Sequence, residues 1–221
     1  QEGEMLRIYQ VVTKWVLLLT LPALFYFVLF PETIIGMTFG REYTEGALAL
    51  SILAVGFSVQ SLVGPNMQSL TSVGETRTIM WINLAAGSTN VVLNYLLIPQ
   101  YTYLGAAVAT SISYTLLNVL YSVALYLRTG IHPFSSHLLK PLAGSIVLMA
   151  AVAGIVFTWF QQDVATLFGS FVAFAILYAL VILRLDAVQE EEMMLLLSIE
   201  ERFGVNLSII KRFVKRVMGD Q

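Results

Sequence analysis

Hydrophobic residues occur in long continuous runs along the chain, and short polar stretches separate these runs. A helix needs about 20 predominantly apolar residues to cross the hydrocarbon core of a bilayer. Six runs are long enough, at 11–30, 47–73, 79–98, 105–127, 141–160 and 164–183. Because these runs do not alternate with a period of two, they do not resemble membrane β-strands. The pattern predicts an all-α fold, a polytopic transmembrane helix bundle of six spans with a cytoplasmic helical tail.

The polar end of the chain, residues 185–221, is predicted to form this amphipathic tail, whereas residues 1–184 form the membrane lobe. Two helices are predicted in the tail, at 186–203 and 207–218, and the second carries Lys and Arg on one face and aliphatic residues on the other. A basic amphipathic helix suits anionic lipid headgroups. A solvated tail that packs on loops fits the same pattern equally well.

Basic residues collect on one side of the predicted spans. Eleven of the twelve Lys and Arg residues fall in alternate loops or in the tail, and Arg41 is the exception. Short loops rich in Lys and Arg stay in the cytoplasm. The count predicts a multi-pass protein of the cell membrane with both termini of this chain cytoplasmic.

Composition narrows the classes of function. The chain is 57% hydrophobic and only 12% charged, with a net charge of -2, so it lacks the basic surface that nucleic-acid binding requires. It contains no Cys, which excludes thiolate metal sites and cysteine nucleophiles. His132 and His137 lie in a predicted loop without a carboxylate between them. We therefore predict no enzyme activity, no catalytic residue, no metal site, no cofactor and no nucleic-acid partner.

Uncharged polar residues inside the spans are the candidates for substrate binding. Asn83, Asn90 and Asn94 are spaced by seven and four residues, which places three carboxamides on one face of a helix. The candidates on the other spans are Asn66, Gln68, Tyr114, Asn118 and Tyr121. A single Asn more often joins packed helices, whereas three on one face favour a polar cavity.

The second span is interrupted in its middle by Gly64 and Pro65. Proline removes a backbone donor and kinks or breaks a helix. Interrupted helices recur at the substrate sites and hinges of transporters, so we predict a hinge here. An ordinary kink that only sets a packing angle is the alternative. Lys14 is the one charged residue within reach of a span, near enough to its cytoplasmic end to snorkel.

Four motifs in order carry a resemblance to a known family. They are FGREY (residues 39–43), GPN (64–66), SVGETR (72–77) and NYLLIPQYTYLGAAVAT (94–110). Residues 3–127 resemble the second half of the polysaccharide-biosynthesis flippases, in the superfamily of multidrug, oligosaccharidyl-lipid and polysaccharide exporters. The resemblance implies a two-lobe transporter that moves a lipid-linked oligosaccharide across the cytoplasmic membrane by alternating access.

The resemblance also implies contacts and partners. Family members hold the pyrophosphate with basic residues, for which Lys14 and Arg77 are the candidates here. The implied partners are the lipid-linked oligosaccharide, membrane lipids, and a missing N-terminal lobe or a second copy of this chain. A start at Gln1 favours a fragment of a longer protein. A drug/cation antiporter of the same superfamily and a non-transporting membrane scaffold of a glycan-assembly complex are the alternatives.

Overall fold

The computed structural model describes residues 2–133, 136–161 and 163–184. Seven α-helices lie in this part of the chain: α1 (Glu2–Leu29), α2 (Pro31–Thr38), α3 (Ala47–Val63), α4 (Asn66–Ser72), α5 (Thr76–Thr129), α6 (Ser136–Trp159) and α7 (Val164–Arg184). A 3₁₀ turn, Arg41–Gly46, joins α2 to α3. The predicted tail helices at 186–203 and 207–218 lie outside the described residues.

Five of the helices are long and apolar enough to cross a membrane. The chain is therefore an all-α, multi-pass membrane protein, as the hydropathy pattern predicts. One of the five, α5, has 54 residues. A straight helix of this length would extend about 80 Å, well beyond the ~30 Å hydrocarbon core.

Helix α5 folds back on itself at Thr102, whose φ of 51° and ψ of -126° are not helical. The Tyr121 hydroxyl donates to Asn83 Oδ1 at 2.9 Å, although the two residues are 38 positions apart. The helix therefore consists of two antiparallel arms, a first arm (76–101) and a second arm (103–129), which make two passes. The first arm continues through Pro99 to residue 101, so the helix extends beyond the predicted span, which runs to about residue 98.

The described residues form two compact units, which we describe separately. The first contains the chain from α1 to residue 133, and residues 163–167 belong to it. Within it, α1 and α3 are antiparallel, because the Ser51 hydroxyl donates to the Phe27 carbonyl at 3.2 Å, whereas the Tyr9 hydroxyl donates to the Val63 carbonyl at the other end of the pair. Helix α3 runs parallel to the second arm, since Tyr103 bonds the Glu45 carbonyl at 3.0 Å and Ser111 bonds the Ile52 carbonyl at 2.9 Å. The unit is an up-and-down bundle of four passes.

A cluster of buried apolar side chains lies at one end of this bundle, where α1, α4 and both arms of α5 meet. Its buried side chains are Tyr9, Leu70, Ile79, Ile82, Tyr121, Leu125 and Ile131. Arg128 Nε lies 3.2 Å from Glu75 Oε1, and this ion pair joins the free ends of the two arms. Arg7, Arg77 and Arg128 lie near this end, which we call the basic end. Its cytoplasmic location stays a prediction.

The second unit contains α6 and most of α7. The buried Ser145 hydroxyl returns to the Pro141 carbonyl at 2.6 Å, and the rings of Phe174 and Tyr178 stack at 5.2 Å. At the start of α7, in the part that belongs to the first unit, the Thr166 N–H donates to Asp163 Oδ1 at 2.8 Å. This backbone hydrogen bond lowers the pKa of the Asp163 carboxyl, because it favours the ionised form.

The hairpin in α5 requires a residue without a side chain at position 105. A Cβ added to Gly105 would lie 2.4 Å from the Leu97 carbonyl oxygen, whereas one added to Gly87 meets nothing within 4 Å. We expect Gly105→Ala to cost about 1–3 kcal/mol, because the arms must separate. The matched control Gly87→Ala should be neutral or slightly stabilising. Thermal unfolding of the purified protein in detergent measures both, and equal melting temperatures would contradict the folded-back hairpin.

Candidate functional site

The second membrane pass is broken between α3 and α4, where the sequence predicts an interruption. Gly64 adopts a φ of 75° and a ψ of -159°, a conformation that residues with a side chain rarely adopt. A Cβ at this position would lie 1.9 Å from Thr13 Oγ1 on α1. Both the backbone conformation and the close approach of α1 therefore require glycine. Hinge motion at Gly64 and Pro65 stays a prediction.

Side chains from α1 and α4 bind backbone groups that the break leaves without helical partners. The Tyr9 hydroxyl on α1 donates to the Val63 carbonyl. Asn66 Oδ1 accepts the Met67 N–H at 2.8 Å. These two contacts replace the bond that a continuous helix would make from the Met67 N–H to the Val63 carbonyl.

Asn66 also ties α4 to the second arm of α5. Its Nδ2 donates to the Asn118 carbonyl at 3.0 Å and to Ser122 Oγ at 3.1 Å. Only 2% of Asn66 is exposed. With its carboxamide used on both sides and no surface free, Asn66 holds helices together in this conformation.

The other candidates on the second arm divide into buried and half-buried residues. Asn118 and Tyr121 are buried: Asn118 Nδ2 donates to the Tyr114 carbonyl at 2.9 Å, and Tyr121 bonds Asn83. Both side chains therefore bond within the bundle in this conformation, and substrate binding by them stays a prediction. Tyr114 is half-buried and its hydroxyl donates to Gln60 Oε1 on α3.

The three carboxamides of the first arm do not act as one group. Asn94 Nδ2 donates to the Asn90 carbonyl at 2.9 Å and to Asn90 Oδ1 at 3.0 Å, and both residues are half-buried. Asn83 is exposed, and its oxygen accepts the hydroxyl of Tyr121 instead. The predicted stripe is thus a pair and a separate single residue.

A groove of about 420 Å³ lies between α1 and α4. Its lining residues are Met5, Ile8, Tyr9, Val12, Pro65, Gln68, Ser69 and Ser72. The hydroxyls of Ser69 and Ser72 donate to carbonyls of their own helix region, Pro65 at 2.9 Å and Ser69 at 2.8 Å. Gln68 is exposed, and its carboxamide bonds no residue in the described part of the chain. Substrate binding by this carboxamide stays a prediction.

A second exposed polar group was missed by the sequence analysis. The exposed Gln60 carboxamide accepts the Tyr114 hydroxyl, and the ring of Phe57 meets that of Tyr114 edge to face, with centroids 4.7 Å apart. Its place in the sequence could have identified Gln60 as a candidate, because Gln60 and Gln68 lie four residues before and four residues after Gly64. An aromatic pair beside a carboxamide can bind a sugar ring, whose hydroxyls need donors and acceptors.

The two candidate phosphate contacts lie in different surroundings. Arg77 is exposed in the first turn of α5 at the basic end. Lys14 is only 3% exposed, follows Thr13 at the break, and has its Nζ 5.8 Å from the centroid of the Trp15 ring. Helix α1 begins at Glu2, about 18 Å before Lys14 along the helix axis, and the interpretation that this amine can snorkel to the cytoplasmic end of its span stays a prediction.

Two curated proteins are similar to part of this chain. A probable low-salt glycan biosynthesis flippase, Agl15 of Haloferax volcanii, is 34% identical over 109 residues, which are 48% of this chain and 22% of that protein. An uncharacterized membrane protein of Methanocaldococcus jannaschii is 31% identical over 85 residues, 38% of this chain and 17% of that protein. The matched segments span less than a quarter of each relative.

No family model and no solved structure matches the chain. The resemblance that the motifs indicate is confirmed by the similarity to the glycan biosynthesis flippase. The chain is thus a multi-pass membrane protein that is similar to a flippase over about half of its length.

Substitutions at Asn66 and Gln68 separate a packing carboxamide from an exposed one. We expect Asn66→Leu to lower the free energy of unfolding by about 1–3 kcal/mol, because it leaves the Met67 N–H without its partner and removes the hydrogen bonds from α4 to Asn118 and Ser122. Gln68→Leu, two residues away, should leave the melting temperature in detergent unchanged. A larger drop in melting temperature for Gln68→Leu than for Asn66→Leu would contradict this assignment, because Gln68 would then make the packing contact that closes the groove.

Proposed function

We propose that this chain forms one lobe of a flippase that moves a lipid-linked oligosaccharide from the cytoplasmic to the outer leaflet by alternating access. The similarity to a probable glycan biosynthesis flippase supports this class of function. The second lobe, or a second copy of this chain, completes the transport path. In this proposal the basic end faces the cytoplasm, and both termini of the chain lie there.

The observation that carries the proposal is the exposed Gln60 carboxamide beside Tyr114, near the middle of the second arm. Tyr114 lies 11 residues from Tyr103 and 12 from Tyr126, so it is about 17 Å along the helix from each of these two tyrosines, and we infer that it lies near the middle of the bilayer. Polar side chains at this depth face a bundle interior or a water-filled cavity rather than lipid. The face with Phe57, Gln60 and Tyr114 therefore borders the proposed transport path, where it binds sugar hydroxyls.

The groove between α1 and α4 supplies the second contact. Its α1 wall is mostly apolar, with Met5, Ile8 and Val12, and its α4 wall presents Gln68. Such a groove suits the junction between a polar headgroup and its lipid chain. Lys14 and Arg77 are the proposed contacts of the phosphates, since cationic side chains form charge-assisted hydrogen bonds with phosphate oxygens.

The position of the break relates the two contacts to alternating access. Gln60 precedes it on α3 and Gln68 follows it on α4, so rotation about Gly64 and Pro65 changes their separation. In one conformation both carboxamides can bind one substrate molecule, and in the other they cannot. A transport cycle requires two conformations of the protein that bind the substrate with different affinities.

The midmembrane contact is tested with Gln60→Leu combined with Tyr114→Phe. We expect the initial rate of flipping of a fluorescent polyprenyl-diphosphate disaccharide in proteoliposomes to fall about tenfold, equivalent to ~1.4 kcal/mol. The assay uses the complete protein that contains this chain. Val55→Leu, an exposed position on the same helix, is the matched control and should flip at the original rate. Equal rates for the double variant and the control would refute the sugar contact.

The half-buried pair on the first arm is tested with Asn90→Leu and Asn94→Leu together. Replacing both partners of a hydrogen bond by apolar groups costs little stability. We expect membrane abundance to be retained and flipping of the same disaccharide lipid to fall. A collapse of abundance, measured by immunoblot of membranes, would assign both carboxamides to packing and remove them from the proposed path.

A further inference from the structure

The end of the first unit opposite to the basic end carries a short segment outside the spans, residues 31–46, which we call the rim segment. It consists of α2 and the 3₁₀ turn, and neither element contains a buried residue. Helix α2 has eight residues and extends about 12 Å, too short to cross a bilayer. The rim segment therefore lies beside the bundle end or across it.

Three contacts hold the rim segment in place. The fully buried Phe30, whose ring stacks on Tyr26 at 5.6 Å, fixes the point where α1 ends and α2 begins. Within the segment, α2 lies close to the 3₁₀ turn, because a Cβ added to Gly36 would be 3.4 Å from Thr44 Cγ2. The Glu45 carbonyl accepts the Tyr103 hydroxyl at 3.0 Å, which ties the segment to the second arm. It is thus a folded element rather than a free loop.

Large apolar and aromatic side chains of the rim segment and its neighbours are nevertheless exposed. Phe39 is 64% exposed and Tyr43 is 59% exposed, and Met37, Tyr101 and Tyr103 are exposed at the same end. Charged side chains alternate with them: Glu32, Arg41, Glu42 and Glu45 are exposed as well. With three residues per 3₁₀ turn, Glu42 and Glu45 share one side of the turn and Tyr43 lies on another.

A second group of exposed aromatic residues lies near the basic end, at Trp81 and Tyr126. From Trp81 to Tyr101 the first arm rises 20 residues, about 30 Å, and from Tyr103 to Tyr126 the second arm descends 23 residues, about 35 Å. These separations match the ~30 Å thickness of the hydrocarbon core. Trp and Tyr are enriched at both interfaces of membrane proteins, so the two groups mark the two headgroup levels.

We propose that the rim segment binds the headgroup region of the bilayer and lies flat in it. Met37, Phe39 and Tyr43 insert into the boundary between headgroups and acyl chains, and the carboxylates of Glu42 and Glu45 point to water. The partner is the phospholipid surface at the end opposite to the basic end. The rim segment anchors the bundle at this interface and stops α1 and α3 from sliding along the membrane normal.

The test measures the depth of single nitroxide labels in the complete protein reconstituted in phospholipid vesicles. Because this chain contains no Cys, each variant carries one label in it: Met37→Cys, Phe39→Cys, Tyr43→Cys or Glu42→Cys. We expect the first three labels to be about an order of magnitude less accessible than the Glu42 label to a water-soluble nickel complex. They should be readily accessible to oxygen, and shallower than a Val55→Cys label on the exposed face of α3.

Two results would overturn the proposal. If the labels at 37, 39 and 43 are as accessible to the nickel complex as the one at 42, the segment is surrounded by water. If they are shielded from both the nickel complex and oxygen, another protein surface covers the segment. Because the same accessibility is expected at all three positions, 37, 39 and 43, a single label that disturbs the fold would not decide the result.

Discussion

Within the hydrocarbon region, backbone N–H and C=O groups need partners from the protein itself, because no water is present to supply them. This requirement is hardest to meet at Gly64 and Pro65, where the second pass stops being helical. The Tyr9 hydroxyl meets it at the Val63 carbonyl, and the Asn66 carboxamide meets it at the Met67 N–H. The break is therefore a contact among three passes, since α1 and the second arm of α5 both take part, through Tyr9 and Asn66.

Close approach of the backbones makes this arrangement possible. Three glycines lie at such contacts. Thr13 packs against Gly64, and the Leu97 carbonyl packs against Gly105. Gly56 lies so near Ser111 that an added Cβ would be 2.5 Å from the Ser111 Oγ. Small residues at such contacts let membrane helices gain packing and short hydrogen bonds in a solvent that gives no hydrophobic drive between them. Each of these positions fixes one helix pair. The proposed motion is consequently confined to the break, where non-helical backbone already exists.

The sequence was sufficient for the architecture because hydropathy reports burial in lipid directly. It located six passes and the interruption at Gly64, even though α5 joins the third and fourth passes through one non-helical residue, Thr102. The site was less predictable. Helical spacing shows that residues share a face but not what that face meets, so it could not show that Asn66 and Asn118 are buried and hydrogen-bonded within the bundle in this conformation. It also does not set the depth of Lys14, because the residues before it in α1 are polar and carry no span signal.

The two groups of exposed Trp and Tyr residues also indicate how deep in the membrane the proposed substrate contacts lie. Asn66 bonds the second arm at Asn118 and Ser122, which lie about 12 Å and about 6 Å along the helix from Tyr126, so the break is about midway between Tyr126 and the centre at Tyr114. The pair of Gln60 and Tyr114 lies at the centre. A substrate entering the proposed path from the basic end therefore meets Gln68 and the α1–α4 groove first and the central carboxamide second. This order suits a molecule whose headgroup must leave one interface before its sugars can cross the middle of the bilayer.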